Sequence, residues 1–157
     1  MIQEDRSIFY KAYNPFLQAA VVFGAAVIVM VGGKFVHWTG LIEVGERFPW
    51  LSAAAFMLFY AIFNSIFSLS AADLNKYWSR SIMSFAALAA ANGLMAYLFS
   101  SLSIDEAGSY RWIYVVLTLG YLVFLSVMGF MKRIVEFAQK EEWNHPRLRN
   151  RRGKGRR

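Results

Sequence analysis

Four long apolar stretches dominate this chain, and their length limits what it can fold into. They run over residues 16–38, 50–72, 81–102 and 112–131 and contain almost no charged side chains. Each holds about 20 residues, which as a helix rising 1.5 Å per residue crosses roughly 30 Å of hydrocarbon. The stretches are apolar on nearly all sides, whereas a soluble amphipathic helix keeps a polar face. The sequence therefore predicts an all-α polytopic membrane protein with four transmembrane helices in an antiparallel bundle.

Tryptophan marks the edges of these stretches. An indole ring is favoured at the headgroup level, where its apolar body meets acyl chains and its N–H meets water. We therefore expect four tryptophans to anchor helix ends at the two interfaces. They are Trp38, Trp50, Trp78 and Trp112.

Capping signals agree with the apolar pattern. Asn14 followed by Pro15 predicts the start of the first helix, and Pro49 predicts the start of the second. Between the third and fourth stretches, Ser103 and Glu106 have the spacing of a capping box, which predicts a short ordered turn there.

The distribution of Lys and Arg predicts the orientation. Of 17 such residues, all but Lys34, Arg47 and Arg111 fall before the first span, between the second and third, or after the fourth. Because positive loops stay in the cytoplasm, we expect both termini to be cytoplasmic, in the inner membrane of a bacterium. The first fourteen residues carry both charge signs and precede no small-residue cleavage site, so we expect the first span to be retained.

These signals divide the chain into three parts. Residues 1–14 form a cytoplasmic N-terminal segment, 15–135 the four-span bundle, and 136–157 a cytoplasmic helix extension with a disordered tail. The extension keeps a helical pattern, with Glu136 placed to pair with Lys140.

The tail is strongly basic. We expect its cations to contact anionic lipid headgroups, with ribosomal RNA and an acidic partner protein as alternatives. These cations are Arg147, Arg149, Arg151, Arg152, Lys154, Arg156 and Arg157.

Few polar side chains lie inside the spans. Asn64 and Ser126 fall at similar depth when counted from the cytoplasmic ends of spans two and four, so we expect them to hydrogen bond across the bundle. Asn92 lies deeper. The functional alternative is that these polar groups line a path through the membrane. Lys34 sits near the outer end of span one, where its stem can reach water.

Span three is rich in small residues at small-x-x-x-small spacing. Such a face allows close backbone approach, so we expect it to be central in the bundle or in contact with another subunit. The face comprises Ala86, Ala87, Ala89, Ala90, Ala91 and Gly93.

The sequence predicts no catalytic group, metal site or cofactor. It has no Cys, and its two His residues are His37, near the outer interface, and His145, in the tail. With short loops and a basic tail, this favours a non-catalytic membrane subunit, assembly factor or stabilising factor of a larger complex. The main alternative is a homo-oligomeric channel or carrier for a small solute. A third hypothesis is an intramembrane enzyme acting on lipid.

Overall fold

The computed structural model describes residues 14–40, 42–71 and 73–144, with side chains as far as residue 140. These ranges contain no strand. The helices are α1 (Pro15–Thr39), α2 (Phe48–Phe67), a short 3₁₀ helix (Ser68–Ser70), α3 (Leu74–Ser100) and α4 (Tyr110–Asn144). All four α-helices are long and apolar enough to cross a membrane, which confirms an all-α chain with four such helices and indicates an integral membrane protein.

The predicted helix starts are found where proline and asparagine place them. The side chain of Asn14 accepts a hydrogen bond from the backbone N–H of Phe16, and Pro15 occupies the first turn of α1. Pro49 lies in the first turn of α2. In both first turns proline removes an N–H that would otherwise lack an acceptor.

The second apolar stretch stops being α-helical earlier than predicted. α2 ends at Phe67, and the chain tightens into the 3₁₀ helix, whereas the apolar pattern extended to residue 72. Serine hydroxyls bond to the backbone where the helix ends. Ser65 donates its hydroxyl to the carbonyl of Ala61 at 2.6 Å, and Ser68 donates to the carbonyl of Ser65 at 2.5 Å. Such side-chain bonds compete with the regular backbone ladder.

The third helix begins earlier than the apolar pattern predicted. α3 starts at Leu74, seven residues before the expected 81. Its first two turns are amphipathic, since Tyr77 and Ser81 are buried while Lys76 and Arg80 are exposed. When hydropathy is averaged along the sequence, Lys76 and Arg80 make these turns look like a loop. The predicted start therefore fell too late.

α2 is the central helix, because it packs against α1, α3 and α4. α1 and α3 also pack against each other. The helix ends lie at two levels. We call one level the Asn64 end; there α2 ends, and α1 and α3 begin. We call the other level the Trp50 end; there α1 and α3 end, and α2 and α4 begin.

One buried cluster lies toward each end. The cluster near the Asn64 end joins residues of all four helices: Ala19, Val22, Met57, Tyr60, Ala61, Phe85, Leu88, Tyr121 and Leu125. The cluster at the Trp50 end is built mainly from small residues around one indole: Ala26, Met30, Trp50, Ala53, Ala96 and Ala107.

α4 continues well past the other helices. Its 35 residues span about 52 Å, more than the roughly 30 Å of a hydrocarbon core. At the Asn64 end, Lys132 donates from Nζ to the backbone carbonyl of Ala71, which ties α4 to the connection between α2 and α3. Lys132 also lies 3.9 Å from Glu136. Glu136 therefore pairs with the residue one turn before it, and the predicted pairing with Lys140 was wrong.

The capping box between α3 and α4 forms as predicted, although it closes a turn and opens no helix. The backbone N–H of Ser103 donates to the Glu106 carboxylate at 2.8 Å, and the N–H of Glu106 donates to the Ser103 hydroxyl at 3.3 Å. The Ser103 backbone N–H, and then its hydroxyl, hold the pKa of Glu106 below the ordinary value of 4.5. An exposed ion pair at 3.0 Å between Arg111 and Asp105 also closes this loop.

The lowered pKa of Glu106 predicts how the loop responds to acid. Because the folded pKa lies below 4.5, the carboxylate stabilises the turn above that pH and the stabilisation is lost as pH falls through the folded pKa. An NMR titration of Glu106 should give a midpoint below 4.5, which Ser103→Ala moves part of the way back. A midpoint at or above 4.5 in the unmodified protein would contradict the capping role.

Side chains from the start of α3 pack directly against Gly129 of α4 at the Asn64 end. A Cβ added at Gly129 would lie 2.5 Å from Cζ2 of Trp78 and 3.1 Å from Cδ2 of Leu74. A Cβ at Gly24 on α1, by contrast, would meet no atom within 4 Å.

Gly129→Ala should therefore destabilise the fold by about 1–3 kcal/mol, since overpacking forces the Trp78 indole to move. Gly24→Ala is the matched control and should be neutral or stabilising by up to about 1 kcal/mol, because alanine favours the helix. Unfolding of both variants in detergent micelles measures the difference. Equal stabilities would show that Trp78 does not pack against α4 in this way.

Candidate functional site: the Asn64 junction and the grooves around it

The side chain of Asn64 joins α2 to each of the other three helices. Its Nδ2 donates to Oε1 of Gln18 on α1 at 2.9 Å and to the hydroxyl of Tyr77 on α3 at 3.1 Å. Its Oδ1 accepts from the hydroxyl of Tyr121 on α4 at 2.9 Å. The Tyr77 hydroxyl in turn donates to the backbone carbonyl of Asn64 at 3.2 Å. We call this set the Asn64 junction.

The Asn64 junction is buried and its amide is saturated. Asn64 is 0% exposed, and both amide protons and the carbonyl oxygen have partners. In a medium without water, each such bond stabilises helix association by about 0.6–2 kcal/mol. The junction can therefore orient four helices, and its bonded amide has little capacity left for a passing solute.

Aromatic rings close the junction on the side toward the membrane centre. Phe85 of α3 stacks on Tyr121 of α4 at 4.4 Å, and Tyr60 of α2 lies 6.2 Å from each of them. The Tyr60 hydroxyl donates to the carbonyl of Pro15 at 3.4 Å. The rings thus hold three helices around the amide by packing, and Tyr60 adds a link to α1.

The predicted contact between Asn64 and Ser126 was wrong. Ser126 is exposed and donates its hydroxyl to the carbonyl of Leu122 within α4. The depth count failed because α2 ends near residue 67 and α4 runs past 131 without a break, so the level of Asn64 corresponds to Tyr121.

Asn92 is equally buried but isolated. It is 0% exposed, on the face of α3 that also buries Leu88 and Ala96. Neither atom of its amide has a hydrogen-bond partner among the residues that the structure describes. Asn92 lies 15 residues beyond Tyr77 on α3, or about 22 Å along the axis, so the two asparagines occupy different levels. They do not meet as steps of one short polar path.

The predicted small-residue face lies partly on the surface and partly along a groove. Ala86, Ala87 and Ala90 are exposed, whereas Ala89, Ala91 and Gly93 are half-buried. At the Trp50 end α3 and α4 are separated by an open groove of about 480 Å³. Its lining comprises Trp50, Ala89, Ala90, Gly93, Leu94, Tyr97, Ser103, Ile104 and Tyr114. The expectation that this face is central within the chain is therefore wrong for its exposed members.

A second groove lies between α1 and α2 at the Asn64 end. It measures about 260 Å³ and is almost entirely apolar at its surface. Phe59 and Phe63 form part of its wall, and Asn64 and Gln18 lie at its base. Sites for small molecules usually exceed about 300 Å³, so this groove suits an acyl chain better than a soluble metabolite.

The four tryptophans take two different roles. Trp38 and Trp112 are 83% and 70% exposed at the Trp50 end, as interface anchors should be. Trp50 is only 3% exposed and donates from Nε1 to the carbonyl of Leu102 at 3.2 Å, so its expected role as a lipid-facing anchor is wrong. Trp78 is half-buried against Gly129.

Charged groups at the Trp50 end surround a small pocket. Lys34, His37 and Glu46 line a cavity of about 140 Å³. The Lys34 ammonium lies 5.4 Å from the centre of the Phe99 ring, a cation–π contact that joins α1 to α3. This cavity is smaller than the sites that usually hold a small ligand.

The basic tail from Arg147 to Arg157, like His145 and residues 1–13, lies outside the described residues. Within the part of the chain that the structure describes, no group of three or more His, Cys, Asp or Glu side chains could hold a metal ion.

Comparisons with protein-family models, curated proteins and solved structures found no match to this chain.

Sequence reasoning found Asn64 but missed its partners. Gln18 and Tyr121 each bring a polar atom into a predicted span and need a partner there, whereas Tyr77 lies before the predicted start of span three at residue 81. That requirement, applied to all residues near the same end of the helices, would have selected them.

Asn64→Leu should destabilise the protein by about 2–4 kcal/mol, because three interhelical bonds are lost and two tyrosine hydroxyls lose a partner. Asn92→Leu is the matched control. Since its amide has no partner to lose, that variant should be neutral or more stable. Equilibrium unfolding in mild detergent compares the two, and similar losses for both would contradict the structural role of the Asn64 junction.

Proposed function

We propose that this protein is a non-catalytic integral membrane subunit, assembly factor or stabilising factor of a larger membrane complex. The observation that carries the proposal is the open groove between α3 and α4 at the Trp50 end, with its floor of small residues. A helix from another protein can approach Ala89, Ala90 and Gly93 closely, because these residues project little from α3.

The use of the polar side chains supports the same proposal. The Asn64 amide is saturated by bonds that hold the helices together. Asn92 lies on a different level and bonds to no described residue. A channel or carrier would need polar groups that converge on one path, so this arrangement weighs against the homo-oligomeric channel hypothesis.

We further propose an antiparallel bundle with the Asn64 end in the cytoplasm. The first turns of α3 and the extension of α4 lie at that end and carry Lys76, Arg80, Lys132 and Arg133, as retention of positive charge requires. A bacterial inner membrane is the best fit. The basic tail would then lie beside anionic headgroups, its proposed partner ahead of RNA or an acidic protein.

The proposal is tested on protein extracted mildly from its own membrane at natural abundance. Native mass spectrometry should find it in a stoichiometric complex with other membrane proteins. Ala86→Leu combined with Ala90→Leu places bulk on the exposed small face and should release that partner by about tenfold or more.

Ala55→Leu is the matched control, because Ala55 is exposed on α2 away from the groove. It should leave the complex intact. A protein that occurs without other subunits, or a partner that is retained in the double variant, would overturn the proposal.

A further inference from the structure

Apolar residues recur on α4 at alternating steps of three and four positions from residue 113 to residue 137. We call this set the α4 stripe. Its members are Ile113, Val116, Gly120, Val123, Val127, Phe130, Ile134 and Phe137. All of them except Gly120 are exposed large apolar side chains, so no other described part of the chain covers the stripe.

The α4 stripe lies on the side of α4 that faces away from α2. Tyr121 and Leu125 are the buried residues by which α4 packs into the core. At about 100° per residue they project roughly opposite Val123 and Phe130. α4 therefore packs into the chain by one side only, and its exposed surface, the stripe included, is largely apolar.

The stripe continues past the level at which the other helices end. Lys132 bonds to the connection between α2 and α3, which marks that level, and the described helix runs about 18 Å further. Beyond it, Ile134 is 52% and Phe137 66% exposed. On the side opposite the stripe the extension carries Glu136 and Gln139, whereas Arg133 and Lys140 flank the stripe.

Lipid can cover the stripe inside the membrane, and α4 is apolar enough to be a candidate span as far as Lys140. Leaving a side chain such as Ile134 or Phe137 in water forgoes about 1.5–3 kcal/mol of burial free energy. A straight helix that continues from a membrane span also cannot lie flat on the membrane surface. A protein surface against this part of the stripe would recover that free energy where its residues lie outside the acyl region.

The spacing fits a second copy of the same helix as that surface. An average step of 3.5 residues is the repeat of a left-handed coiled coil, in which the stripes of two helices stay in contact along their length. One of the two alternating sets contains Ile113, Val127 and Ile134. Gly120, the remaining member of that set, allows close approach inside the membrane.

We propose that the α4 stripe is the interface of a parallel homodimer, a two-stranded coiled coil that runs through the membrane and beyond it at the Asn64 end. Two copies inserted in the same direction present identical stripes, related by a twofold axis along the membrane normal. Seven side chains from each copy, at roughly 100 Å² each, bury about 1,400 Å², which lies within the range of stable interfaces.

This dimer goes beyond the proposed function and does not rest on it. The stripe contains no polar side chain, so the dimer axis encloses no path for a solute. The groove between α3 and α4 is built from α3 and the first turns of α4, and its lining includes no stripe residue. A hetero-complex with one copy of this chain would support the function and overturn the dimer, whereas a dimer without other subunits would do the reverse.

Cysteine cross-linking tests the dimer directly, because the natural chain has no Cys. Ile134→Cys and Phe137→Cys place a thiol where identical positions face each other across a coiled-coil axis. Gln139→Cys is the matched control, since it lies on the opposite side of the same turns. The full-length variants are oxidised in isolated membranes and separated by gel electrophoresis without reductant.

A covalent dimer should form at positions 134 and 137 and at most weakly at 139. Absence of a dimer at both stripe positions, equal dimer at 139, or cross-links at 134 and 137 to a different protein would overturn the proposal. Neither stripe residue is buried in the core, so these substitutions leave the fold of each copy unaffected.

A charge placed in the stripe provides an independent measurement. Phe137→Glu puts two like charges into the apolar contact and should weaken dimerisation in lipid vesicles by about tenfold or more, as measured by single-molecule photobleaching. Gln139→Glu adds the same charge on the opposite side and should change the monomer–dimer ratio by less than about twofold. Equal effects of the two variants would contradict the interface.

Discussion

The amide of Asn64 is the interaction on which the arrangement of the helices depends, because it bonds side chains from all three helices that surround α2. In lipid the hydrophobic effect does not bring apolar helices together, so polar bonds and close packing must choose their relative positions. Asn64 provides the polar bonds at one end of the protein. The stacked rings of Phe85 and Tyr121 and the glycine at position 129 provide the close packing around it.

This arrangement makes the two ends of the molecule different. At the Asn64 end α4 is held against the rest of the chain by Tyr121, Gly129 and Lys132. At the Trp50 end the indole of Trp50 holds the loop after α3, while α3 and α4 leave a groove between them. Only 17% of the most apolar part of α4 is buried within the chain. A helix fixed so firmly at one end, with so little of its surface covered, is suited to contacts with other proteins.

The general fold could be predicted from the sequence because it depends on composition and length alone. Four apolar stretches, Asn14 with Pro15, and the Ser103–Glu106 pair each act locally, and the structure has a helix or turn at each. The internal contacts could not be predicted in this way. Helices that are apolar on all sides carry no periodicity to orient them, so the pairing of Asn64 with Ser126 was chosen by depth and missed the nearby tyrosines. Small shifts in helix ends, such as the early end of α2 at Phe67, were enough to make that count of depth wrong.

The central claim is that the hydrogen bonds of Asn64 hold the helices together, and a double-mutant cycle tests it most directly. Tyr121→Phe removes one hydroxyl and keeps the stacked ring, so in the natural protein it should cost about 1 kcal/mol of unfolding free energy. Made together with Asn64→Leu, the same change should cost close to nothing, because its partner is already gone. If Tyr121→Phe costs the same in both backgrounds, the hydroxyl acts independently of Asn64 and the junction does not hold α4 in place.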